Sequence, residues 1–276
     1  METRSILITG CSSGIGLATA TLLHRQGWRV FAAARRQQDV DTLLASFPDA
    51  LRLDVDDSDS IHAAVTHIEK ETGGRLDALF NNAGFGQPGA VEDVPRAALR
   101  AQFETNLFGA WELTAAVLPL MRRQGRGRIL FNSSVLGFAA MRWRGAYNAS
   151  KFAMEGLADT LRLELDGSGI GVSLIEPGPI VSRFRPNALV RLHANIDMEH
   201  SAHAARYRQE LARLGKPDAS SRMTLPAEAV AAVVARSLES RRPRARYRVT
   251  FPTHLFWFLW HLLPQRWLDR VLIAAA

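Results

Sequence analysis

The sequence predicts an α/β fold: a three-layer, doubly wound parallel sheet of about seven strands, with a C-terminal substrate lid and a tail helix. Three observations predict it. Short apolar runs alternate with longer stretches of helical period, and that rhythm builds a parallel sheet covered on both faces. A glycine-rich turn, Gly10-Cys11-Ser12-Ser13-Gly14-Ile15-Gly16, joins the first strand to the first helix. The chain has 276 residues, 47% hydrophobic and 22% charged, which suits a single domain over 1–276 and excludes disorder.

Residues 5–9 (SILIT) are a short apolar run closed by glycine, so a buried strand, and residues 17–26 follow at helical spacing. The glycines between them permit a tight turn and a close approach of backbone to a pyrophosphate. The helix start offers free N–H groups to the anion. A glycine loop alone is a weak signal; a strand before it and a helix after it make this one strong. Residues 28–34 (WRVFAAA) are the second strand. A fold that prefers NAD ends this strand with an acid for the ribose 2′-hydroxyl. Here it ends Ala34-Arg35-Arg36, and the first acid, Asp39, comes too late. A guanidinium at this point suits a 2′-phosphate, so NADP(H) is the expected cofactor.

Residues 51–55 (LRLDV) are the third strand, with Asp54 and Val55 at its end, where adenine would lie. Ser58–Thr72 is a helix with Ser58 as its N-cap. Residues 76–80 are the fourth strand and run into the turn Asn81-Asn82-Ala83-Gly84. Residues 95–123 have the pattern of one long helix with Asn106 in its middle. A side chain that competes for backbone hydrogen bonds is unfavourable there. Asn106 is either exposed and harmless or the mark of a local break with a job. Residues 128–132 and 171–175 are strands five and six, 146–166 and 226–240 are helices, and 246–250 is a seventh strand.

The chemistry concentrates in the segment from Ser134 to Lys151 (SVLGFAAMRWRGAYNASK). Tyr147 and Lys151 stand four apart, so on a helix both side chains rise from one face. An ammonium that close favours the phenolate and lowers the phenol's pKa from about 10. A phenol tuned toward neutrality can exchange a proton with a substrate oxygen, and Ser134 can hold that oxygen. An amphipathic helix with a chance Tyr and Lys is the bland alternative. Composition argues against it: of 34 Lys and Arg, only Lys70, Lys151 and Lys216 are lysines. Where arginine fills nearly every basic position, a lysine beside a tyrosine points to a need for a compact ammonium.

Charge is uneven. Residues 181–276 hold 16 Lys/Arg against 7 Asp/Glu, so 1–180 are slightly acidic within a net +7. No nucleic-acid motif accompanies the basic excess, and no nucleic-acid partner is expected. Residues 181–225 break the strand–helix rhythm at the place where a substrate lid belongs, with an amphipathic helix expected over 197–214. Glu199, His200 and His203 lie there without HExxH order, so no metal is expected. The tail, 252–276, holds Phe256, Trp257, Phe258, Trp260 and Trp267, and its apolar run is too short to span a bilayer. Its cover is the domain itself or a sister subunit; the alternative is a membrane interface, helped by Arg241, Arg242, Arg244, Arg246 and Arg248 upstream. The single Cys11 and an opening without signal-peptide layout predict a cytoplasmic location.

Taken in order, Thr9-Gly10-Cys11-Ser12-Ser13-Gly14-Ile15-Gly16, Asn81-Asn82-Ala83-Gly84, Asn106, Ser134, Tyr147-Asn148-Ala149-Ser150-Lys151 and Pro177-Gly178 resemble the short-chain dehydrogenase/reductase family, with its Rossmann fold. The resemblance runs from residue 5 to about 182. ITGCSSGIG, SLIEPGPI and the aromatic tail after ARYRVT are most similar to the branch of 17β-hydroxysteroid dehydrogenase type 1, retinol dehydrogenases and bacterial NADP-dependent aldehyde reductases. The resemblance implies Tyr147 as acid/base, Lys151 as its modulator and a ribose ligand, Ser134 as the substrate-orienting hydroxyl, and Asn106 as part of a proton relay. It implies cofactor contacts from Gly10, Ser12, Ser13, Gly14, Ile15, Gly16 and Arg35. Asp54 and Val55 would meet adenine, Asn82, Ala83 and Gly84 the adenosine ribose, and Pro177, Gly178, Ile180 and Ser182 the nicotinamide. Position 182 is often threonine in the family, and serine keeps the hydroxyl.

The expected function is NADP(H)-dependent hydride transfer to a carbonyl of a small apolar substrate, by a homodimer or homotetramer. An oxidative alcohol dehydrogenase is the alternative. A non-catalytic NADPH-binding protein would carry a degraded Ser/Tyr/Lys set, and this set is whole. A membrane-surface scaffold working through the tail is the other rival.

Overall fold

The computed structural model describes residues 3–215 and 223–275. Residues 216–222 of the expected lid lie outside them. Among the described residues, seven parallel strands form one sheet in the order β3-β2-β1-β4-β5-β6-β7. They are β1 (Ser5–Ile8), β2 (Arg29–Ala34), β3 (Leu51–Arg52), β4 (Ala78–Asn81), β5 (Gly127–Asn132), β6 (Ile170–Glu176) and β7 (Arg246–Arg248). The order reverses between β1 and β4, which opens a crevice at the carboxyl ends of the strands.

The strands are apolar on both faces because both are covered. Leu7, Phe31, Leu79 and Phe131 face α3 (Ser58–Thr72), α5 (Gly109–Gln124) and α6 (Gly145–Glu164). Ile6, Ile8, Val30 and Phe80 face α1 (Gly14–Arg25), α2 (Gln37–Leu44) and α9 (Ala227–Glu239). β3 stops earlier than the pattern predicts, since Asp54 N–H turns away to donate to Ser60 Oγ (3.0 Å). The cap of α3 is Asp57, not Ser58: its carboxylate accepts from the N–H groups of Asp59 and Ser60.

The expected long helix over 95–123 is broken. Helix α4 (Arg96–Phe103) passes through a π-turn, Glu104–Phe108, into α5, and Asn106 is fully buried in that turn. The expected helix over 197–214 starts later than the pattern predicts, as α8 (Ala204–Leu214), and a further helix, α7 (Phe184–Asn195), precedes it. Short polar side chains divide them: Asp197 accepts from His200 N–H and Ser201 Oγ from His203 N–H, closing turns that compete with helix. The tail is two helices, α10 (Phe251–Leu262) and α11 (Gln265–Ala275). Among the described residues no helix is long and apolar enough to cross a membrane.

Candidate active site

The glycine turn sits at the carboxyl end of β1. A Cβ at Gly16 would lie 2.4 Å from the Gly10 carbonyl and 2.6 Å from Asn82 Nδ2, so only glycine lets α1 approach this closely. Ser13 caps α1 without a side-chain bond to the helix, which leaves its hydroxyl and the first-turn N–H groups for an anion. Thr9 Oγ1 accepts from the N–H groups of Asn82 and Ala83, both at 2.9 Å, and clamps the end of β4 to the turn. These features fit a dinucleotide pyrophosphate.

The same edge carries Ser134, Tyr147 and Lys151. Lys151 Nζ donates to the Asn132 carbonyl (2.6 Å) and lies 5.7 Å from the Tyr147 ring centroid. Asn106 brackets Phe85, accepting from its N–H and donating to its carbonyl, both at 3.0 Å, and reaches Ser150 Oγ at 3.2 Å. A Cβ on Gly84 would meet Asn106 Oδ1 at 3.1 Å and Lys151 Nζ at 3.9 Å. Ser134, Tyr147 and Lys151 all line one cavity of about 470 Å³, with Ile15, Asn82, Gly84, Pro177, Gly178, Ile180 and Ser182. That volume suits a small-molecule site. Gly10, Ser12, Ser13, Gly14, Gly16, Ala83, Arg35, Asp54 and Val55 are not among its lining residues; Arg35, Asp54 and Val55 belong to the β2 and β3 end of the edge. Asn106 is buried behind it.

The protonation states differ from the sequence expectation. Burial pushes the Tyr147 phenol up to about 12, with the Ser134 hydrogen bond pulling the other way. Burial pushes the Lys151 ammonium down to about 8, opposed by the charge of Glu155. The expectation that Lys151 draws the phenol toward neutrality fails because desolvation outweighs a neighbour that makes its bond to a carbonyl instead. Burial thus favours the uncharged form of each group.

Several contacts at the site were not legible in the chain. Phe184, within the expected lid and at the start of α7, meets the Tyr147 ring edge-on at 5.2 Å. Only glycine at position 86 leaves room for it, since a Cβ there would lie 2.5 Å from Phe184 Cζ. Phe256 of α10 and Ala275 of α11 line the cavity, so the tail returns to the site. Trp143 holds φ at 64°, a rare conformation for a bulky side chain, just before the helix of Tyr147. Its carbonyl accepts from Gly89 N–H, and its ring meets His203 and Tyr207.

Behind the cavity lies a buried charge cluster. Glu155 accepts from Ser133 Oγ and from Arg246 Nε. Arg246 also bonds Asp159 (2.6 Å), and Arg246 and Arg248 each pair with Glu176 at 3.1 Å. Arg248 further lies over the Trp257 ring at 4.1 Å. These two arginines therefore serve the interior and do not supply the charge that the membrane alternative for the tail drew on.

A parallel sheet with a glycine-rich turn at the carboxyl end of β1, beside a cavity lined by Ser134, Tyr147 and Lys151, has the layout of a nicotinamide-dependent oxidoreductase. The short chain dehydrogenase family model matches residues 4–189, and the chain belongs to that family. It is 41% identical to an uncharacterized oxidoreductase, YbbO, of Escherichia coli, over 98% of this chain and 94% of that protein. It is 32% identical to an NADPH-dependent 3-dehydrocapnine reductase of Ornithobacterium rhinotracheale, over 97% and 95% of the two chains. A short chain dehydrogenase/reductase from Burkholderia phymatum, solved with NAD, superposes with a TM-score of 0.78 at 26% identity, over 92% and 91% of the two chains.

Proposed function

We propose that this chain reduces an aldehyde or ketone on an apolar substrate with NADPH. The observation that carries the reading is Tyr147: a buried phenol, bonded to Ser134, held protonated up to about 12 and open to the cavity. The reduced nicotinamide, when bound, supplies hydride to the carbonyl carbon. Ser134 and Tyr147 hydrogen-bond the carbonyl oxygen, and Tyr147 gives it the proton as the charge develops. Lys151 and Asn106 support the return of that proton, and Lys151 holds the nicotinamide ribose. Val135, Leu136, Met141, Phe184, Ala188 and Phe256 give the cavity apolar walls, which favours an apolar substrate. Helices α7 and α8 act as its lid.

For the cofactor, Arg36 is occupied by Asp39 through two bonds of 2.9 and 3.1 Å. Arg35 is exposed, and among the described residues its guanidinium makes no hydrogen bond or ion pair, so it is the arginine offered to a 2′-phosphate, with Ser13. Asp54 and Val55 take adenine, Asn82 to Gly84 its ribose, and Pro177, Gly178, Ile180 and Ser182 the nicotinamide. The name of the 3-dehydrocapnine reductase agrees with NADPH, whereas the Burkholderia structure holds NAD. Arg35→Ala is expected to raise KM for NADPH about 10- to 100-fold and leave KM for NADH unchanged. Initial rates with both cofactors, on a panel of steroids, retinoids and aliphatic aldehydes, check this; faster turnover with NADH in the unmodified protein refutes it.

Phe184 sets how wide a carbonyl can approach Tyr147. Phe184→Ala is expected to raise the kcat/KM ratio of a cyclic ketone over a linear aldehyde about tenfold or more. An unchanged ratio places Phe184 outside the substrate's reach. Exposed Leu99, Phe108, Trp111 and Phe152 on the α4–α6 side offer an apolar face for a homodimer or homotetramer. A reducing, cytoplasmic setting suits the buried, lone Cys11.

A further inference from the structure

Helix α10 carries two apolar faces. Pro252 and Phe256 turn inward and line the cavity. Phe251, Leu255, Phe258 and Leu262 recur at helical spacing on the outside, where they are 68, 40, 55 and 62% exposed. Helix α11 repeats the plan. Leu268 is buried and Val271 and Leu272 pack against the cluster of Val135, Leu136, Ala139, Tyr147 and Phe256, while Trp267 and Ile273 stay 59 and 49% exposed. Trp257 and Trp260 add two further partly exposed indoles. Such a surface needs a cover.

The charges decide which cover. The two helices hold Arg266 and Arg270, both exposed, against Asp269 as their one acid. Arg142, next to Met141, and Arg183, next to Phe184, add exposed cations close to the cavity, and no acid lines the cavity itself. A second copy, docked face to face about a two-fold axis, would bring like-charged arginines together with few carboxylates to answer them. A lipid surface with anionic headgroups answers them directly. Tryptophan and phenylalanine on a helix flanked by arginine are the composition that settles at the boundary of headgroup and acyl chain.

We propose that the outer face of α10 and α11 docks on an anionic lipid surface and presents the cavity to substrate dissolved in that lipid. The docked wall formed by Phe256 and Ala275 then stands about one helix diameter, roughly 10 Å, from the acyl region. The docking stands on the tail alone; the delivery of substrate rests on the carbonyl-reductase reading.

The test uses the full chain and vesicles of phosphatidylcholine with or without phosphatidylglycerol. Sedimentation is expected to recover the protein at least about tenfold more with phosphatidylglycerol, and less as salt rises. Brominated acyl chains are expected to quench its tryptophan fluorescence. The double variant Phe258→Ser/Leu262→Ser should lose vesicle binding, and Arg266→Gln/Arg270→Gln should lose the preference for phosphatidylglycerol. Both should keep NADPH oxidation with a water-soluble aldehyde, measured without vesicles, so that a failure of docking is distinct from a failure of catalysis. Protein that stays in the supernatant with both lipids and is not quenched overturns the proposal. So does a dimer in solution that Phe258→Ser/Leu262→Ser converts to monomer, which would make the cover a second copy.

Discussion

Tyr147→Phe is expected to lower turnover at least about 1,000-fold while NADPH binds as before. A positioned acid contributes about 100- to 10,000-fold, and the upper part of that range applies because the phenol is buried. The phenylalanine ring keeps the edge contact with Phe184, so the loss isolates the hydroxyl. NADPH affinity is read by fluorescence titration and turnover by NADPH oxidation. Retention of more than about a tenth of the rate would remove Tyr147 from the mechanism. The pH profile carries a second part of the prediction. With the Lys151 ammonium held near 8 by burial, reduction should weaken as the pH rises through that value. Glu155 supports the charged form of Lys151, so Glu155→Gln should move this alkaline limb to lower pH.

The parts of this site that are local in sequence are the parts that can be read from it. Tyr147 and Lys151 share one helix face by spacing alone. Gly10 to Gly16 declare a close approach because no other residue tolerates one. Asn106 is awkward in a regular helix, and the π-turn is where that awkwardness goes. What escapes is set by distance along the chain. The direction of the Tyr147 shift depends on burial under α10, which begins more than 100 residues later, and a lysine four places away misleads in its absence. The return of α11 to the cluster around Val135 and Tyr147 has no local signature either. Arg246 and Arg248 look like two more cations in a basic run. Only the fold shows that Glu155, Asp159 and Glu176, from two other elements, are waiting for them. Residues 197–203 show the reverse failure: a helical apolar period was present, and short polar side chains overrode it with turns.

The cluster behind the site is where the largest loss of stability is expected. Arg246→Met should cost about 3–5 kcal/mol, since it leaves buried carboxylates without their shared partner. Glu176 is wholly buried and Glu155 nearly so, and Arg246 is the group that touches Glu155, Asp159 and Glu176 together. Lysine would not substitute, because one ammonium cannot reach three carboxylates in the plane of a guanidinium. Adding Glu155→Gln to Arg246→Met should recover part of the loss, as one stranded charge disappears. The penalty also depends on pH. Burial, reinforced by the charge of Glu155, pushes the Glu176 carboxyl from 4.5 up to about 7, against the pull of Arg248 and Arg246. A group that holds its proton more tightly when folded contributes stability below its unfolded pKa and loses it as the pH rises through the folded one. Without Arg246 the folded value moves higher still. Urea unfolding should therefore find the variant least damaged near pH 5 and most damaged near pH 8. An equal loss at both would mean that packing, not stranded charge, is what Arg246 provides. The damage should reach the chemistry as well, because Glu155 holds Ser133 beside Ser134, and Glu176 leads into Pro177 and Gly178 on the cavity wall. Turnover of the still-folded variant should fall with NADPH binding weakened, a combination that Tyr147→Phe does not produce.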